Sequence, residues 1–339
     1  MHFFIQKSTV EKAGEEALSN LSLLFQHHFK EHKPRVSSVE DLQSWLRQWI
    51  SAQLTDRSDL QVIKELRLIG HMLRMACHPI DLNLALTQVL LGLQSSAVTA
   101  DCSGEENCLR TTLDYLNKSC KQLVLFDVGA NQGQWSTMAA QHHSQIDLHL
   151  FEPNYKLESK LKNNATQFMN NADSRSNCVI NMMGISSRKQ AELFVSNQSS
   201  EMATTNRDSG LLYGDHEHFE IKTSRGDDYC QSNHISKIDY LKLDTEGTEF
   251  ESLESFGTIL KEDKISFIQF EYGKPNYYTR SGLHQYFSCL DEHYTLHKIL
   301  PEGITNALEY SSNIEDFQWA NYLAVHRRQN EYFKCFKER

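Results

Sequence analysis

The chain has 339 residues, 40% of them hydrophobic and 23% charged, with only 5 prolines. That length leaves room for more than one domain, and the composition can bury a core, which excludes a largely disordered chain. A formal net charge of -10 argues against nucleic-acid or anionic-membrane partners, since both are held mainly through excess Lys and Arg.

Eight cysteines are scattered without a C-x-x-C pair, so neither a zinc site nor a disulfide framework is expected. The stretch MHFFIQKSTVEK lacks the cationic flank, apolar run and small-residue site of a secretion signal. The most apolar segment, 82–93, is interrupted by Asn83, Thr87 and Gln88 and is too short to span a bilayer. The expectation is a cytoplasmic protein with no membrane span.

Residues 1–105 read as an all-α N-terminal domain. Ser37 and Glu40 stand in capping-box relation, and Leu42, Trp45, Leu46, Trp49 and Ile50 follow at helical spacing. A second run, Leu60, Ile63, Leu66, Ile69 and Leu73, meets a breaker at Pro79. The small, polar stretch SSAVTADCSGEE marks the change of pattern, and 106–339 reads as a second domain. There, β-rich runs at 123–128, 147–151, 178–183, 240–243, 265–270, 294–299 and 322–325 alternate with helical stretches at 134–142, 155–169 and 249–260. This alternation predicts an α/β fold, a mostly parallel Rossmann-like sheet of seven strands covered on both faces. Its ligand site belongs beyond the carboxyl ends of the strands.

Four segments carry chemistry there. FDVGANQGQWS lies where the first strand turns into a helix. Gly129 and Gly133 let the backbone turn tightly and approach a ligand, and Ser136 can serve the open amides of the helix start. The spacing is G-x-x-x-G, not the G-x-G-x-x-G of dinucleotide folds. A carboxylate at Asp127 would repel a pyrophosphate, but it tolerates the ammonium and sulfonium of S-adenosylmethionine. Glu152, in FEP at the end of the next strand, can accept hydrogen bonds from both hydroxyls of a ribose.

The third segment, IDYLKLDTEGTEFESL, opens from a strand into an acidic helix start. Asp244 stands at the strand end, where it could take a hydroxyl proton or hold a metal, with Glu246 in reserve. Glu249 and Glu251 fit the start of a helix, whose dipole favours acidic residues. In the fourth, FIQFEYG, Glu271 could face Asp244 across neighbouring strand ends, or it could orient Lys274 or Arg280. If magnesium is used, Asp244 and Glu271 are the expected ligands; the pattern itself requires no metal. Asp215, His216, Glu217 and His218 have metal-ligand side chains, but their alternation fits a hairpin strand. The polar stretch 196–214 reads equally as an active-site lid or a surface loop.

Together these segments resemble the FkbM family of S-adenosylmethionine-dependent methyltransferases: DVGANQG its first motif, FEP its ribose motif and IDYLKLDTEGTEFESL its fourth-strand signature. The resemblance implies the class I methyltransferase fold, S-adenosylmethionine as cofactor and O-methylation of sugars, glycans or natural products. It puts Asp127, Gly129, Asn131, Gly133 and Glu152 on cofactor-contact positions, and Asp244 on a catalytic or metal-binding one. The expected partner is therefore a small-molecule or glycan acceptor, and a homo-oligomer is compatible with it. The competing expectation is a catalytically silent methyltransferase-like module that binds partners through its helical region.

Overall fold

A computed structural model describes residues 104–118, 122–142, 145–170, 175–197, 202–210, 216–300, 303–333 and 335. The helical readings for 1–103 lie outside the described residues.

The strands are β1 Leu123–Val128, β2 Ile146–Phe151, β3 Asn177–Asn181, β4 Gly184–Ile185, β5 Gln190–Ser196 and β6 Ala203–Thr204. They continue with β7 His216–Ser224, β8 Ile238–Leu243, β9 Ile265–Tyr272, β10 Tyr294–Leu300, β11 Gly303–Ile304 and β12 Ala320–His326. The helices are α1 Glu105–Asn117, α2 Gln134–His142, α3 Glu158–Asn170, α4 Arg207–Gly210, α5 Gly226–Ser232, α6 Glu249–Glu254, α7 Gly257–Lys261, α8 Lys274–Thr279 and α9 Leu283–Leu290.

The main sheet has the order β11-β10-β12-β9-β8-β1-β2-β3. From β3 to β9 every pairing is parallel, and β12 runs antiparallel between β9 and β10. This is the class I methyltransferase arrangement, and all seven expected strands form. The two-residue β11 adds an eighth at the β10 edge. The third strand ends at Asn181, short of Met182 and Met183, which the sequence had included.

The sheet divides its side chains by the two-residue period. Phe126, Val128, Leu241, Leu243, Ile268 and Phe270 share one core with residues of α5, α6, α7 and α9. Leu123, Leu125, Tyr240, Phe267, Leu323 and Val325 share the other with residues of α1, α2 and α3. The helix expected over 249–260 is two helices, α6 and α7, because the Asp227 carboxylate accepts from the amides of Thr258 and Ile259 and so caps a fresh helix start.

A second sheet, β4-β7-β5-β6, was not foreseen beyond the β7 strand. His216 and His218 lie on β7 and pack against Phe194, while Glu217 forms an ion pair with Lys156. The hairpin reading of that segment therefore describes its structure. Among the described residues, no helix is long and apolar enough to cross a membrane.

Candidate active site

At the carboxyl ends of the central strands, the apolar face toward α1 and α2 turns polar. The period of two puts Asp127 after Leu125, Lys242 after Tyr240, and Gln269 then Glu271 after Phe267, all on that face. The register sets Asp127 beside Lys242, Lys242 beside Gln269, and Glu271 beside Asn321. A stripe of polar groups thus crosses β1, β8, β9 and β12 under the helix starts.

Lys242 is buried at the centre of this stripe. Its Nζ donates to Asp244 Oδ2 at 2.9 Å and lies 3.9 Å from Asp127 Oδ1. Burial opposes its charge, but the carboxylates of Asp244, Asp127 and Glu105 outweigh that and raise its pKa. Asp127 is fully enclosed and accepts from Ser136 Oγ at 2.6 Å through Oδ2; burial raises its pKa. Glu105, the first residue of α1, accepts from Gln269 Nε2 at 2.6 Å, and its pKa is likewise raised by burial. Gln269 also donates to Asn321 Oδ1 and accepts from Tyr240 Oη, so the stripe is knit by side-chain hydrogen bonds.

The loop after β1 crosses the end of β8 at very close range. Gly129 has φ 82°, and a Cβ there would lie 1.7 Å from the Asp244 carbonyl oxygen, so no side chain fits. The amides of Gly129 and Ala130 donate to the Phe151 carbonyl, tying the loop to β2. Asn131 and Gly133 continue the turn with φ 50° and 83°. Glu152 anchors it from below: Oε2 accepts from the Asn131 amide at 2.8 Å and Oε1 from the Asn154 amide at 2.7 Å. Burial pushes the Glu152 carboxyl up to about 7, although both amides pull the other way.

Beyond β8 the chain makes a second strained turn, with φ 55° at Glu246 and 103° at Gly247. Glu249 shapes it from inside. Its Oε1 accepts from the amides of Thr245 and Gly247, and its Oε2 from Asn276 Nδ2, which links the turn to α8. Glu251 pairs with Arg188 and accepts from Ser186 Oγ, holding the segment after β4. Both residues are therefore structural clasps in addition to favouring a helix start.

One cleft collects most of the candidates. Gly129, Asn131, Glu152, Asp244 and Glu246 line it, as do Glu105, Trp135, Lys242 and residues of the second sheet. Asp127, Gly133 and Ser136 lie behind its wall and shape the loop. Ligating oxygens of Asp244, Glu246 and Glu271 all come within 4.8 Å of one another. Glu271, held among Asp244, Glu246, Glu249 and Glu105, has its pKa raised far above the usual carboxylate range, first by burial and then by those charges. Among the described residues neither Lys274 nor Arg280 forms an ion pair or hydrogen bond with it, and Asp244 is its neighbour.

The donor set suits S-adenosylmethionine. Glu152 retains free lone pairs for a ribose, the Gly129 turn admits close backbone approach, and the cleft wall is acidic toward a cationic sulfur. Gly184 and Ile185, on β4, line the cleft as well. Magnesium fits less well, because the Lys242 ammonium already neutralises Asp244. A second grouping, Asp263, His293 and His326, sits at the opposite ends of the strands. There the Arg328 amide donates to His326 Nδ1, and His326 Nε2 lies 3.1 Å from Asp263 Oδ1.

Sequence reading missed Lys242 and Glu105. A lysine inside an otherwise apolar strand was the available signal for the first, since such a residue is rarely buried unpaired.

A family model described as the methyltransferase FkbM domain matches residues 127–302, just over half of the chain. No curated protein sequence matches. Among solved structures, methyltransferase FkbM from Methylobacillus flagellatus KT is similar at 13% identity, over 72% of this chain and 54% of that one, with a TM-score of 0.38. Precorrin-6y C5,15-methyltransferase from Geobacter metallireducens GS-15 is similar at 10% identity, over 65% and 87%, with a TM-score of 0.34. TrmK of M. capricolum, in complex with S-adenosyl-homocysteine, is similar at 11% identity, over 63% and 67%, with a TM-score of 0.32. On the family match, carried by the segments that build this cleft, the chain belongs to the FkbM methyltransferase family.

Proposed function

We propose that this methyltransferase uses S-adenosylmethionine to methylate a hydroxyl group of a sugar, glycan or natural-product acceptor. The observation that carries the reading is the pair of carboxylates Asp244 and Glu246 lining the cleft, with Glu271 beside them, the ligating oxygens of all three within 4.8 Å of one another. Such a site binds hydroxyls and can take the proton that O-methylation releases.

The cofactor supplies an electrophilic methyl group on a sulfonium. Glu152 holds the ribose hydroxyls, and the Gly129 to Gly133 loop sets the depth at which the cofactor sits. Asp244 spends Oδ2 on Lys242 and offers Oδ1 to the acceptor hydroxyl, which aligns it for in-line attack. Asp244 takes the proton as the ether forms, while Glu271, raised well above the usual carboxylate range by burial and its acidic neighbours, keeps its own proton beside it.

The test is transfer of a labelled methyl group to a panel of saccharides and hydroxylated natural products. Wild type is expected to yield an ether. Asp244→Asn should lose about a hundredfold or more in kcat while S-adenosylhomocysteine affinity stays within a few-fold of wild type. Normal turnover by Asp244→Asn would remove the base assignment, and label found on nitrogen or carbon would remove O-methylation.

A further inference from the structure

The cleft is lined by five carboxylates, those of Glu105, Glu152, Asp244, Glu246 and Glu251, and by one cationic side chain, Lys242. That lysine lies inside a strand whose residues are all buried, where an ionised group persists only if it is paired. Two independent constraints fix its head. The register places Asp127 beside it on β1, and the two-residue period places Asp244 on the same face of β8. Asp127 is itself immobilised, fully enclosed and bonded to Ser136 at the start of α2. Asp244, by contrast, is partly exposed at the cleft and has one short contact to a side chain, the 2.9 Å bond from Lys242.

We propose that Lys242 is a positioning residue: its ammonium, anchored under the cofactor loop by Asp127, holds the Asp244 carboxylate toward the cleft. Asp127 and Lys242 then form a rigid strut between the cofactor loop and the acceptor side of the site. The inference rests on the proposed placement of Asp244 against the acceptor hydroxyl, and so beside the sulfonium that this hydroxyl attacks.

A mere counter-charge would behave differently, and the sign of one measurement separates the two. S-adenosylmethionine and S-adenosylhomocysteine differ by a methyl group and a positive charge on sulfur. The ratio of their dissociation constants therefore reports how much negative charge faces that atom. If Lys242 only neutralises, Lys242→Met makes the cleft more negative and preference for the charged ligand rises. If it positions Asp244, the carboxylate is released and that preference falls.

Calorimetric titration of both ligands into the full chain tests this. Preference for S-adenosylmethionine is expected to fall about tenfold in Lys242→Met, and by a similar factor in Asp244→Asn. Should the single variant fail to fold, Asp127→Asn with Lys242→Met leaves the local charge balanced, and the same fall is expected. Unchanged or increased preference in a Lys242 variant, with Asp244→Asn still lowering it, overturns the positioning role alone. No effect of Asp244→Asn overturns the placement of Asp244 and the inference with it.

Discussion

Glu152 shows how one carboxyl group can tie cofactor binding to pH. It is 6% exposed and accepts two backbone amides, yet burial still moves its pKa from the ordinary 4.5 up to about 7. For a carboxyl raised in the folded state, the favourable contribution is complete below the unfolded pKa and is lost as pH rises through the folded one. Glu152 thus favours the unliganded fold most below about pH 4.5 and gives up that contribution on the way to 7. Ribose hydroxyls that donate to the ionised carboxylate reverse the preference. Binding of S-adenosylhomocysteine between pH 5 and 7 is expected to release a proton, seen as a binding heat that changes with the ionisation enthalpy of the buffer. Glu152→Gln should abolish that dependence and weaken binding by roughly ten- to a hundredfold, the worth of hydrogen bonds to a charged group. Identical heats in all buffers for wild type would show that Glu152 is already ionised in the free protein.

Among the elements, the turn from β8 into α6 concentrates strain and function in a few residues. Gly247 has φ 103°, and a Cβ on it would lie 2.7 Å from Pro275 at the start of α8. Glu249 holds this turn by three hydrogen bonds that its removal would leave buried and unpaired. Glu249→Ala is expected to destabilise the protein by about 2–4 kcal/mol, read as a lower denaturant midpoint; a change under 0.5 kcal/mol, about the size of an ordinary surface substitution, would show the clasp to be dispensable. The sequence made this turn visible as DTEGTE, with Asp244 as a candidate, but Glu249 as a helix-start residue. What it could not show is contact across elements: nothing in the string relates Glu249 to Asn276, or Asp127 to Lys242 and Gln269. Strands were legible because β-branched and aromatic residues cluster between polar stretches, as in LVLFDV and ISFIQF. The second sheet was legible only at β7, whose alternation signals a hairpin strand, because β4 and β6 have two residues each. Lys242 was hidden for a related reason, since its pairing depends on a strand register that one chain does not encode locally.

At the scale of the molecule, the matched family segment and the folding unit have different limits. The match ends at residue 302, but β12 begins at Ala320 and lies between β9 and β10, bonded to both. Its residues Tyr322, Leu323, Ala324 and Val325 are all within 2% of full burial. Without them β9 and β10 each expose an unpaired edge and an apolar face, a pairing surface for other chains. Downstream, Tyr332 shares a hydrogen bond with Thr112 of α1 and packs on Phe267 of β9. That contact also supports the helix whose first residue, Glu105, lines the cleft, although α1 precedes the matched segment. A chain stopped after residue 302 is therefore expected to be insoluble or to lack a cooperative thermal transition, whereas the full chain should gain several degrees in midpoint at a hundredfold excess of S-adenosylhomocysteine over its Kd, about 2.7 kcal/mol of linkage. Circular dichroism melts of both proteins, with and without ligand, make the comparison. A truncated chain that melts cooperatively and is stabilised by the ligand would show that the cofactor site needs neither β12 nor the Tyr332 contact, and that α1 holds Glu105 in place through its packing on α2 and β10.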